Sequence, residues 1–560
     1  MPPVHVSVRS HTSRGGPGLY SLSEAAIIRN AARCRWGTSM RGGRANMRIP
    51  VGALALVLAA FGAIDATPAT AATITISNTN DLVNGDTTTP GALRASPGPD
   101  GISLREAMLA ANNRPGPHAL TFATRLADKT IVLTGPLPPI SRSGITLAGL
   151  TNADTGQPSV TIDGSIGGHG PMMFVAASSF TVSDLTILMP PQFSAIQIGG
   201  AIHGSQGQLL AASRTLSGLR VLRSVFHAGG DSNHAFAIAI ATSLDVTRNA
   251  SISDVVIDGN TFQNMFEGVN VQGSGRSNVI RDVVIQRNVF SQMTAPATSA
   301  VEIAGHNGRR NSILGTRILH NVFAGNFSGV NLNNNRDAGP PCGCIDTTTA
   351  GNVIDDTVIE GNMFTGNLEA IGMAAGTGQP GFPPVNNTIS NTRIVNNVIN
   401  RTGYQHFDTA AGIHVFDNQN GAMNNRVNGL SIVNNTIHGP GPMGGGVWVE
   451  SAGGVTQVSV RNTIFWGGSP FGEIEGVPPP RVRYSIIDQD GITGINHNVN
   501  VEPLFKNPAR GNFRLKAGSP AFRAGNPTDA PATDRDCQPR GTRPSIGAYQ
   551  RGGPDICLAD

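Results

Sequence analysis

Apolar and polar residues alternate over short stretches that recur along most of the chain. Residues 268–271 (Gly-Val-Asn-Val), 412–415 (Gly-Ile-His-Val) and 446–449 (Gly-Val-Trp-Val) show the pattern. A period of two residues is typical of a β-strand with one buried face and not of a helix. Because no pattern of hairpin turns joins these stretches, we predict short parallel strands that stack in successive turns of a coil.

A fixed module runs through the alternating pattern and predicts how the turns stack. In each copy one Asn precedes a second Asn by ten positions, and the pairs are Asn278 and Asn288, Asn311 and Asn321, Asn352 and Asn362, Asn387 and Asn397, and Asn425 and Asn435. A rigid module between loops of variable length is typical of a solenoid. Identical side chains stacked at about 4.8 Å can link their amides into a ladder. We therefore expect a structural ladder of Asn and an interior stack of Phe, formed by Asn260, Asn288, Asn321, Asn362, Asn397 and Asn435 and by Phe262, Phe290, Phe323 and Phe364.

The module, with three short strands in each turn, resembles the right-handed parallel β-helix proteins of the pectate-lyase-like superfamily. The resemblance covers residues 119–500 and implies an all-β fold, a right-handed parallel β-helix with three strands per turn. One short helix is predicted before it, because Ser103 and Glu106 form a capping box and the apolar residues of 104–111 fall on one face. We expect this helix to cap the exposed core at the N-terminal end. The scaffold carries unrelated activities, so the resemblance predicts a fold and not a reaction.

Two further resemblances mark the ends of the chain. Residues 72–118 contain Ser-Leu-Arg-Glu-Ala at 103–107 and resemble the CSLREA segment that precedes bacterial β-helices, with Ile102 in place of the leading Cys of that family. Residues 501–550 contain Glu-Pro-Leu-Phe at 502–505 and Gly-Ala-Tyr at 547–549, and resemble the choice-of-anchor Q domain of secreted and surface proteins. Residues 551–560 are a tail.

The N-terminal residues predict export. Residues 47–71 hold a short basic start, an apolar run and Ala-Thr-Ala at 69–71, which are the three regions of a secretory signal peptide. Residues 1–46 are then an upstream mis-start of the reading frame or a long leader. We expect the mature chain to have no transmembrane segment and to be secreted, either extracellular or on the surface of a bacterium.

The basic charge of the full chain lies in this leader. The 560 residues carry a formal net charge of +4, and residues 1–71 contribute eight Arg against Glu24 and Asp65, a net of +6. Taking +6 from +4 leaves the mature chain at about −2. Nucleic-acid binding requires a clustered basic surface, so we expect no nucleic-acid partner.

Four of the five Cys remain after the leader is removed. An oxidising compartment favours disulfides, and we predict a bridge between Cys537 and Cys557. Cys342 and Cys344 lie in a Pro- and Gly-rich loop, and the sequence leaves two alternatives for them, a disulfide between the two or free thiols. A two-Cys metal site without nearby His is not expected. The fold accommodates Ca²⁺, but no loop has the multi-Asp spacing of a calcium site, so we predict no metal and no cofactor.

One stretch gathers groups suited to acid–base chemistry. Tyr404, His406 and Asp408 fall within five residues, with Arg401 before them and Arg426 after them. A lyase or epimerase acting on uronates removes the proton next to a carboxylate and needs an acid, a base and a cation. The cluster loosely resembles the alginate epimerase site, but its order and spacing differ, so no role carries over. Catalysis by Tyr404, His406 and Asp408, with substrate held by the two Arg, is one hypothesis; a polar loop without chemistry is the other.

These features together predict a secreted or surface-exposed β-helix protein that binds or acts on extracellular polysaccharide. One alternative is a polysaccharide lyase or epimerase acting on uronate polymers. The other is a non-catalytic adhesin or surface stalk that contacts a cell-surface partner.

Overall fold

The computed structural model describes residues 71–166, 170–203, 209–228, 236–242, 248–296, 298–305, 308–334, 349–377, 383–400, 411–439, 445–468, 472–528, 530–550 and 554–557. Three long sheets, named A, B and C, carry most of the strands, and from Ile145–Ala148 onward the chain visits them in that order in each turn. Neighbouring strands within each of the three sheets are parallel. The predicted right-handed parallel β-helix is confirmed.

Sheet A has eighteen strands, because in the later turns each pass through it is split into two short strands. The strands are β1 (Ala72–Ile76), β2 (His118–Phe122), β4 (Ile145–Ala148), β7 (Thr181–Ser183), β12 (Thr215–Leu222), β15 (Ser251–Asp258), β19 (Val279–Gln286), β23 (Ser312–Leu314), β24 (Arg317–Leu319), β27 (Val353–Asp355), β28 (Val358–Glu360), β31 (Thr388–Ser390), β32 (Arg393–Val395), β35 (Arg426–Asn428), β36 (Ser431–Val433), β39 (Val455–Thr456), β40 (Ser459–Arg461) and β43 (Val482–Arg483).

Sheet B has eleven strands of three or four residues. They are β3 (Lys129–Val132), β5 (Val160–Asp163), β8 (Thr186–Met189), β13 (Val225–Ala228), β16 (Thr261–Gln263), β20 (Val289–Ser291), β25 (Val322–Ala324), β29 (Met363–Thr365), β33 (Val398–Asn400), β37 (Thr436–His438) and β41 (Ile464–Trp466).

Sheet C has ten strands, several of them longer than those of sheet B. They are β6 (Met173–Val175), β9 (Ile196–Ile198), β14 (Phe236–Ala241), β17 (Glu267–Gln272), β21 (Ser299–Ala304), β26 (Ser328–Asn333), β30 (Glu369–Thr377), β34 (Ile413–Gln419), β38 (Val447–Glu450) and β42 (Ile474–Glu475). Three small two-stranded sheets lie outside the main three and pair β10 (Ala201–His203) with β11 (Leu209–Ala211), β18 (Gly275–Arg276) with β22 (Gly308–Arg309), and β44 (Phe505–Asn507) with β45 (Asn512–Leu515).

The corner between sheets A and B holds a column of buried Asn. From Asn260 to Asn435, Nδ2 of each Asn donates to Oδ1 of the Asn in the next turn at 3.0–3.1 Å. The same Oδ1 also accepts the backbone N–H of that donor Asn, which lies in the preceding turn, at 2.8–2.9 Å. The column therefore gives every amide partners on both sides, which a buried polar group requires. Its members are Asn260, Asn288, Asn321, Asn362, Asn397 and Asn435.

A second Asn column marks the corner where the chain passes from sheet C back to sheet A. Backbone N–H groups of Asn278, Asn311, Asn352 and Asn387 donate to Oδ1 of the next Asn in the column at 2.9–3.0 Å, ending at Asn425. The ten-residue spacing in the sequence is thus the length of chain between two corners. Sheet A lies between them, and the variable loops lie elsewhere.

The residue before each Asn of the first column adopts a left-handed backbone. The φ angles are 68° at Gly259, 55° at Arg287, 53° at His320, 69° at Gly361 and 55° at Asn396. This conformation turns the chain sharply and costs little for Gly or Asn. The Asn that follows this residue is then oriented so that its side-chain amide forms hydrogen bonds along the axis of the β-helix.

Phe side chains stack in the interior beneath sheet B. Neighbouring rings from Phe226 to Phe364 lie 4.7–5.0 Å apart with interplanar angles of 6–13°. Small residues on sheet C make room for them: a Cβ at Gly329 would lie 2.7 Å from the ring of Phe364. The alternating apolar positions of all three sheets complete a continuous core.

The N-terminal end is closed by two helices, α1 (Pro90–Ala95) and α2 (Leu104–Asn112). Ser103 and Glu106 form the expected capping box, and the apolar face of α2 joins the core of the β-helix. Glu106 also accepts the backbone N–H groups of Asn84 and Gly85 at 2.7 and 2.6 Å, and so fixes the segment before α1. The first strand of sheet A, β1, lies inside the segment 72–118 assigned to the cap and pairs with β2, so the β-helix begins before residue 119.

The C-terminal segment, residues 501–550, packs on the outer surface of sheet B. Its hairpin β44–β45 and the apolar residues near 546–549 form a cluster with Val398, Ile464 and Ile486 of the last turns. The buried guanidinium of Arg540 donates to Oδ1 of Asn396 at 2.7 Å and to carbonyl groups of its own segment. Desolvation lowers the pKa of Arg540 to about 10. Short 3₁₀ helices at Thr124–Leu126, Pro479–Arg481 and Pro508–Arg510 complete the described elements.

Replacing Asn362 with Leu should lower the free energy of unfolding by about 1–3 kcal/mol, because the N–H and Nδ2 of Asn321 lose their acceptor in the column. Denaturant melts measure the change. Lys516→Ala, at an exposed position of the C-terminal segment, is the control and should leave the midpoint unchanged. Equal midpoints for Asn362→Leu and the wild type would contradict the role of the column.

Candidate functional site

The outer surface of sheet C has a charge composition unlike that of the other sheets. Its ten strands contain five Glu and one Asp and neither Lys nor Arg. The strands of sheet A, in contrast, contain seven Arg. Strand alternation places Glu302, Glu450 and Glu475 on the outer side of the sheet, and hydrogen bonds to Asn270 and His414 place Glu267 and Glu369 on the same side. Glu267 and Glu302 are buried there, whereas Glu475 is exposed. We refer to this outward surface as the acidic face.

One outward column runs the full length of the acidic face. The strand registers place its members side by side, one in each turn. From the N-terminal end they are Phe174, Gln197, Ala239, Asn270, Glu302, Asn331, Gly372, His414, Trp448 and Glu475. The residues that alternate with them in the strands face the core.

His414 lies between two carboxylates on this face. Its Nδ1 is 3.2 Å from Oε1 of Glu369, and its Nε2 is 3.2 Å from Oε1 of Glu450. Desolvation of the ring is the largest single influence and lowers the pKa of His414, but the hydrogen bonds and charges of Glu369 and Glu450 together outweigh it, and the pKa is raised. The ring is therefore an imidazolium to a higher pH than an ordinary His, and both of its nitrogen atoms are occupied.

Trp448 stacks on His414 in the next turn. The ring centroids are 4.8 Å apart and the rings are inclined by 14°. A cation against the face of an indole is a favourable arrangement, so the imidazolium and Trp448 stabilise each other. The next position of the column, in register with Trp448, is the exposed Glu475. The aromatic side chain thus lies between an imidazole of raised pKa in the preceding turn and a carboxylate in the next.

A second polar group lies further along the face. Nδ2 of Asn270 donates to Oε2 of Glu267 at 2.8 Å and to Oε2 of Glu302 at 3.2 Å. Nδ2 of Asn333 donates to Oε1 of Glu302 at 2.5 Å. Oδ1 of Asn270 is buried and has no hydrogen-bond partner within the described part of the chain.

Gly372 leaves the space in which Glu369 reaches His414. A Cβ at this position would lie 2.5 Å from Oε2 of Glu369 and 3.1 Å from Oδ1 of Asn331. The small residue in the central column therefore helps to define the position of the carboxylate.

Of the five candidate catalytic and substrate-binding residues of the sequence, the structure describes one. Tyr404, His406, Asp408 and Arg401 lie outside the described residues. Arg426 is exposed on β35 of sheet A and does not belong to the acidic face. Catalysis by Tyr404, His406 and Asp408 therefore stays a prediction.

Asp417, at the exit of the strand that carries His414, has a structural role. Its carboxylate accepts the backbone N–H groups of Ala452 and Gly454 and the hydroxyl of Ser451, and so fixes the turn after β38. Although desolvation, the largest influence, raises the pKa of Asp417, the hydrogen bonds outweigh it and lower the pKa. The carboxylate of Asp417 is therefore occupied by hydrogen bonds to the turn after β38.

Cys537 and Cys557 are joined in a disulfide with a Cα–Cα distance of 5.2 Å. Among the described residues, His320 and these two Cys are the one set of three potential ligands whose donor atoms lie within 4.8 Å of one another. The sulfur atoms are bonded to each other and are not thiolates, so this set does not form a metal site. Cys342 and Cys344 lie outside the described residues.

Among the described residues, none of the helices has the length and apolar character needed to cross a membrane.

Glu369, Glu450 and Trp448 are the residues that sequence reasoning missed. Their signal was present in the alternation: in residues 412–415 and 446–449, His414 and Trp448 occupy the same outward position of equivalent strands. Aligning the strands of successive turns in register would have placed the two in contact.

Glu473, just before β42, predicts a pH dependence of stability. Desolvation, with a smaller contribution from Asp488, raises the pKa of its carboxyl to about 7, and Oε2 has no partner in the described chain. The ordinary pKa is 4.5, so the folded chain holds the proton more tightly than the unfolded chain. The free energy of unfolding therefore falls as the pH rises from about 4.5 through about 7.

Glu473→Gln should remove this loss of stability at high pH, because Gln does not ionise. At about pH 8 the variant should be more stable than the wild type by about 2 kcal/mol, and at about pH 4 the two should be equal. Chemical denaturation at both pH values measures the difference, with Glu475→Gln as an exposed control that changes neither value. A variant no more stable than the wild type at the higher pH would contradict the assignment.

No protein-family model matches the chain, and no curated protein matches its sequence. Similar solved structures include a mannuronic-acid-specific polysaccharide family 6 lyase from human gut microbiota, with 11% identity, 75% of this chain and 92% of that chain covered, and a TM-score of 0.33. The A-module of the mannuronan C-5 epimerase AlgE6 of Azotobacter vinelandii has 13% identity, 76% and 97% coverage, and a TM-score of 0.30. PfbA, a surface adhesin of Streptococcus pneumoniae, has 12% identity, 71% and 95% coverage, and a TM-score of 0.31. At these scores the similarities carry no argument about what this chain does.

Proposed function

We propose that the protein binds extracellular polysaccharide along the acidic face of sheet C, with Trp448 as the central contact. The observation that carries the proposal is the stacked pair of Trp448 and His414, held between Glu369 and Glu450 on the outside of the β-helix. An aromatic ring with fixed polar groups around it is the usual composition of a site for a small or repeating ligand. Carboxylates accept the hydroxyl hydrogen bonds that sugars offer.

The shape of the face favours a polymer over a small molecule. At the C-terminal end of the column, three successive turns about 4.8 Å apart present the part-exposed His414 and Trp448 and the exposed Glu475. A ligand with its own repeat can contact several turns at once. Repeated weak contacts on one chain then add to a useful affinity.

The contacts of His414 favour binding over catalysis. A general base needs a free nitrogen within reach of the proton it removes, and both nitrogens of this ring are engaged by Glu369 and Glu450. An inverting pair of carboxylates leaves room for water between them, whereas here the imidazole fills that space. A lyase or epimerase built on Tyr404, His406 and Asp408 remains the second candidate, carried by the clustering of these residues in the sequence.

Two features support an extracellular location. Residues 47–71 have the pattern of a signal peptide, and a disulfide such as Cys537–Cys557 persists in oxidising compartments. The choice-of-anchor Q resemblance of residues 501–550 supports attachment to the cell surface, and in this segment the exposed side is the one turned away from sheet B. The CSLREA resemblance of residues 72–118 agrees with the same class of exported bacterial β-helix.

Trp448→Ala should weaken binding to the polysaccharide by about tenfold or more, because truncating a central aromatic contact typically costs more than 1 kcal/mol. Affinity electrophoresis through gels that contain neutral, cationic or anionic polysaccharides identifies the ligand and measures the loss. Tyr484→Ala is the matched control, since Tyr484 also stacks on a His, His497, at 4.5 Å but lies outside sheet C.

Retention of full affinity by Trp448→Ala would move the site away from the acidic face. Turnover of a uronate polymer by the wild type, lost in His406→Ala and kept in Trp448→Ala, would support the second candidate instead. A thermal melt of each variant separates loss of binding from loss of fold.

A further inference from the structure

We infer that the polysaccharide bound at Trp448 is uncharged, and that Phe416 is a second contact for it. The inference rests on the proposed function and narrows it to one class of ligand. It follows from the rings around His414, from the positions of Phe416 and Trp448 in the sheet, and from the hydrogen-bonding groups beside them.

Three neighbouring rings form one continuous surface, which we call the aromatic platform; it consists of Phe416, His414 and Trp448. His414 and Phe416 alternate with buried residues in β34, so both face outward, and their ring centroids are 5.0 Å apart. Trp448 stacks on His414 from the next turn at 4.8 Å. All three side chains are partly exposed, so the platform is accessible from solvent.

The fold does not require an aromatic ring at position 416. The strand registers place Phe416 in one column with Ala304, Asn333 and Ala374 of the three preceding turns. Small and polar residues are thus accepted at the same position of the sheet. A large apolar side chain that is left partly exposed beside a second one indicates a contact surface.

The two aromatic residues are diagonal neighbours on the outer side of the sheet. Phe416 is in register with Glu450, which lies two residues beyond Trp448 in β38. Diagonal neighbours on one face of a sheet are about 7–8 Å apart. A pyranose ring carries C–H groups on its faces and hydroxyl groups around its edge, and packing a face on an aromatic ring removes apolar surface from water. One chain can therefore place consecutive sugars on Trp448 and Phe416.

The polar groups beside the platform are acceptors of hydrogen bonds. Oε1 of Glu450 contacts Nε2 of His414, and Oε2 accepts Nε2 of Gln419 at 3.0 Å, while the side chain stays 35% exposed. A carboxylate has about four acceptor sites, so lone pairs remain on Glu450 as well as on the exposed Glu475. The hydroxyl groups at the edge of a neutral sugar can donate to both.

A uronate polymer does not match the same groups. Its carboxylates need cations or several N–H donors, but the strands of sheet C contain neither Lys nor Arg, and both ring nitrogens of His414 are engaged. The carboxylates of Glu369, Glu450 and Glu475 also outnumber the one imidazolium, and like charges at contact distance repel. The platform therefore favours an uncharged sugar over an anionic one.

Affinity electrophoresis with defined polymers tests the class of ligand. The neutral gels contain hydroxyethylcellulose, galactomannan or methyl-esterified pectin, and the charged gels contain the same pectin after de-esterification, alginate or chitosan. Binding at the platform is the part of the retardation that Trp448→Ala loses. We expect the affinity for the best neutral polymer to exceed that for every charged polymer by at least tenfold. An affinity for any charged polymer within tenfold of the best neutral one would overturn the inference while leaving polysaccharide binding in place, and no Trp448-dependent retardation in any gel would overturn the proposed function as well.

Variants at position 416 test the second contact. Phe416→Ala and Phe416→Leu should each weaken binding to the best neutral polymer by about fivefold or more, whereas Phe416→Tyr, which keeps the ring, should bind like the wild type. Phe236→Ala is the matched control, since Phe236 is also a partly exposed Phe of sheet C but lies in β14, away from the platform. Thermal melts show whether each variant is folded. Full affinity in folded Phe416→Ala or Phe416→Leu would overturn the role of Phe416.

Discussion

The hydrogen bond between the side-chain amides of stacked Asn residues is the interaction on which this fold depends. In the column from Asn260 to Asn435, each Oδ1 accepts both a side-chain and a backbone N–H of the neighbouring Asn, so the distance between turns is fixed at a corner of the coil. A second column fixes the opposite end of sheet A. With both ends of one sheet held, loops elsewhere can vary in length without disturbing the register. The face of sheet C is a product of that register, because Glu369, His414 and Glu450 come from three successive turns and meet only through the stacking of those turns.

The two other surfaces of the β-helix are used differently. The C-terminal segment covers the outer surface of sheet B over the last turns, where Asn396 and Asn434 in the left-handed corner position bond to Arg540 and to the carbonyls of Ser545 and Gly547. Earlier turns have Gly361 or His320 at that corner instead. Doubling of Asn before the column therefore occurs in two of the turns on which the segment packs. Sheet A carries Arg–Asp pairs such as Arg220 with Asp254, which leaves the acidic face of sheet C as the surface without basic strand residues.

The fold could be predicted from the sequence because its determinants repeat. The spacing of Asn278 to Asn288 recurs unchanged, and the alternation of apolar and polar residues within each strand separates inward from outward positions. The site could not be predicted in the same way. Tyr404, His406 and Asp408 were selected because they are close in sequence, whereas His414 is 45 residues from Glu369 and 36 from Glu450. Their contact depends on the register of three turns separated by loops of unequal length, which local patterns do not specify.

The central claim, that Trp448 contacts the polysaccharide, can be tested by its own fluorescence. The chain has three Trp, and Trp36→Phe with Trp466→Phe leaves Trp448 as the one emitter; Trp466 packs beside the C-terminal segment on sheet B. Titration of this variant with the polysaccharide identified by affinity electrophoresis should shift or quench the emission along a saturable curve, whose dissociation constant equals that measured by electrophoresis. Unchanged emission at concentrations where electrophoresis shows saturated binding would contradict the account, because the ligand would then occupy a different surface.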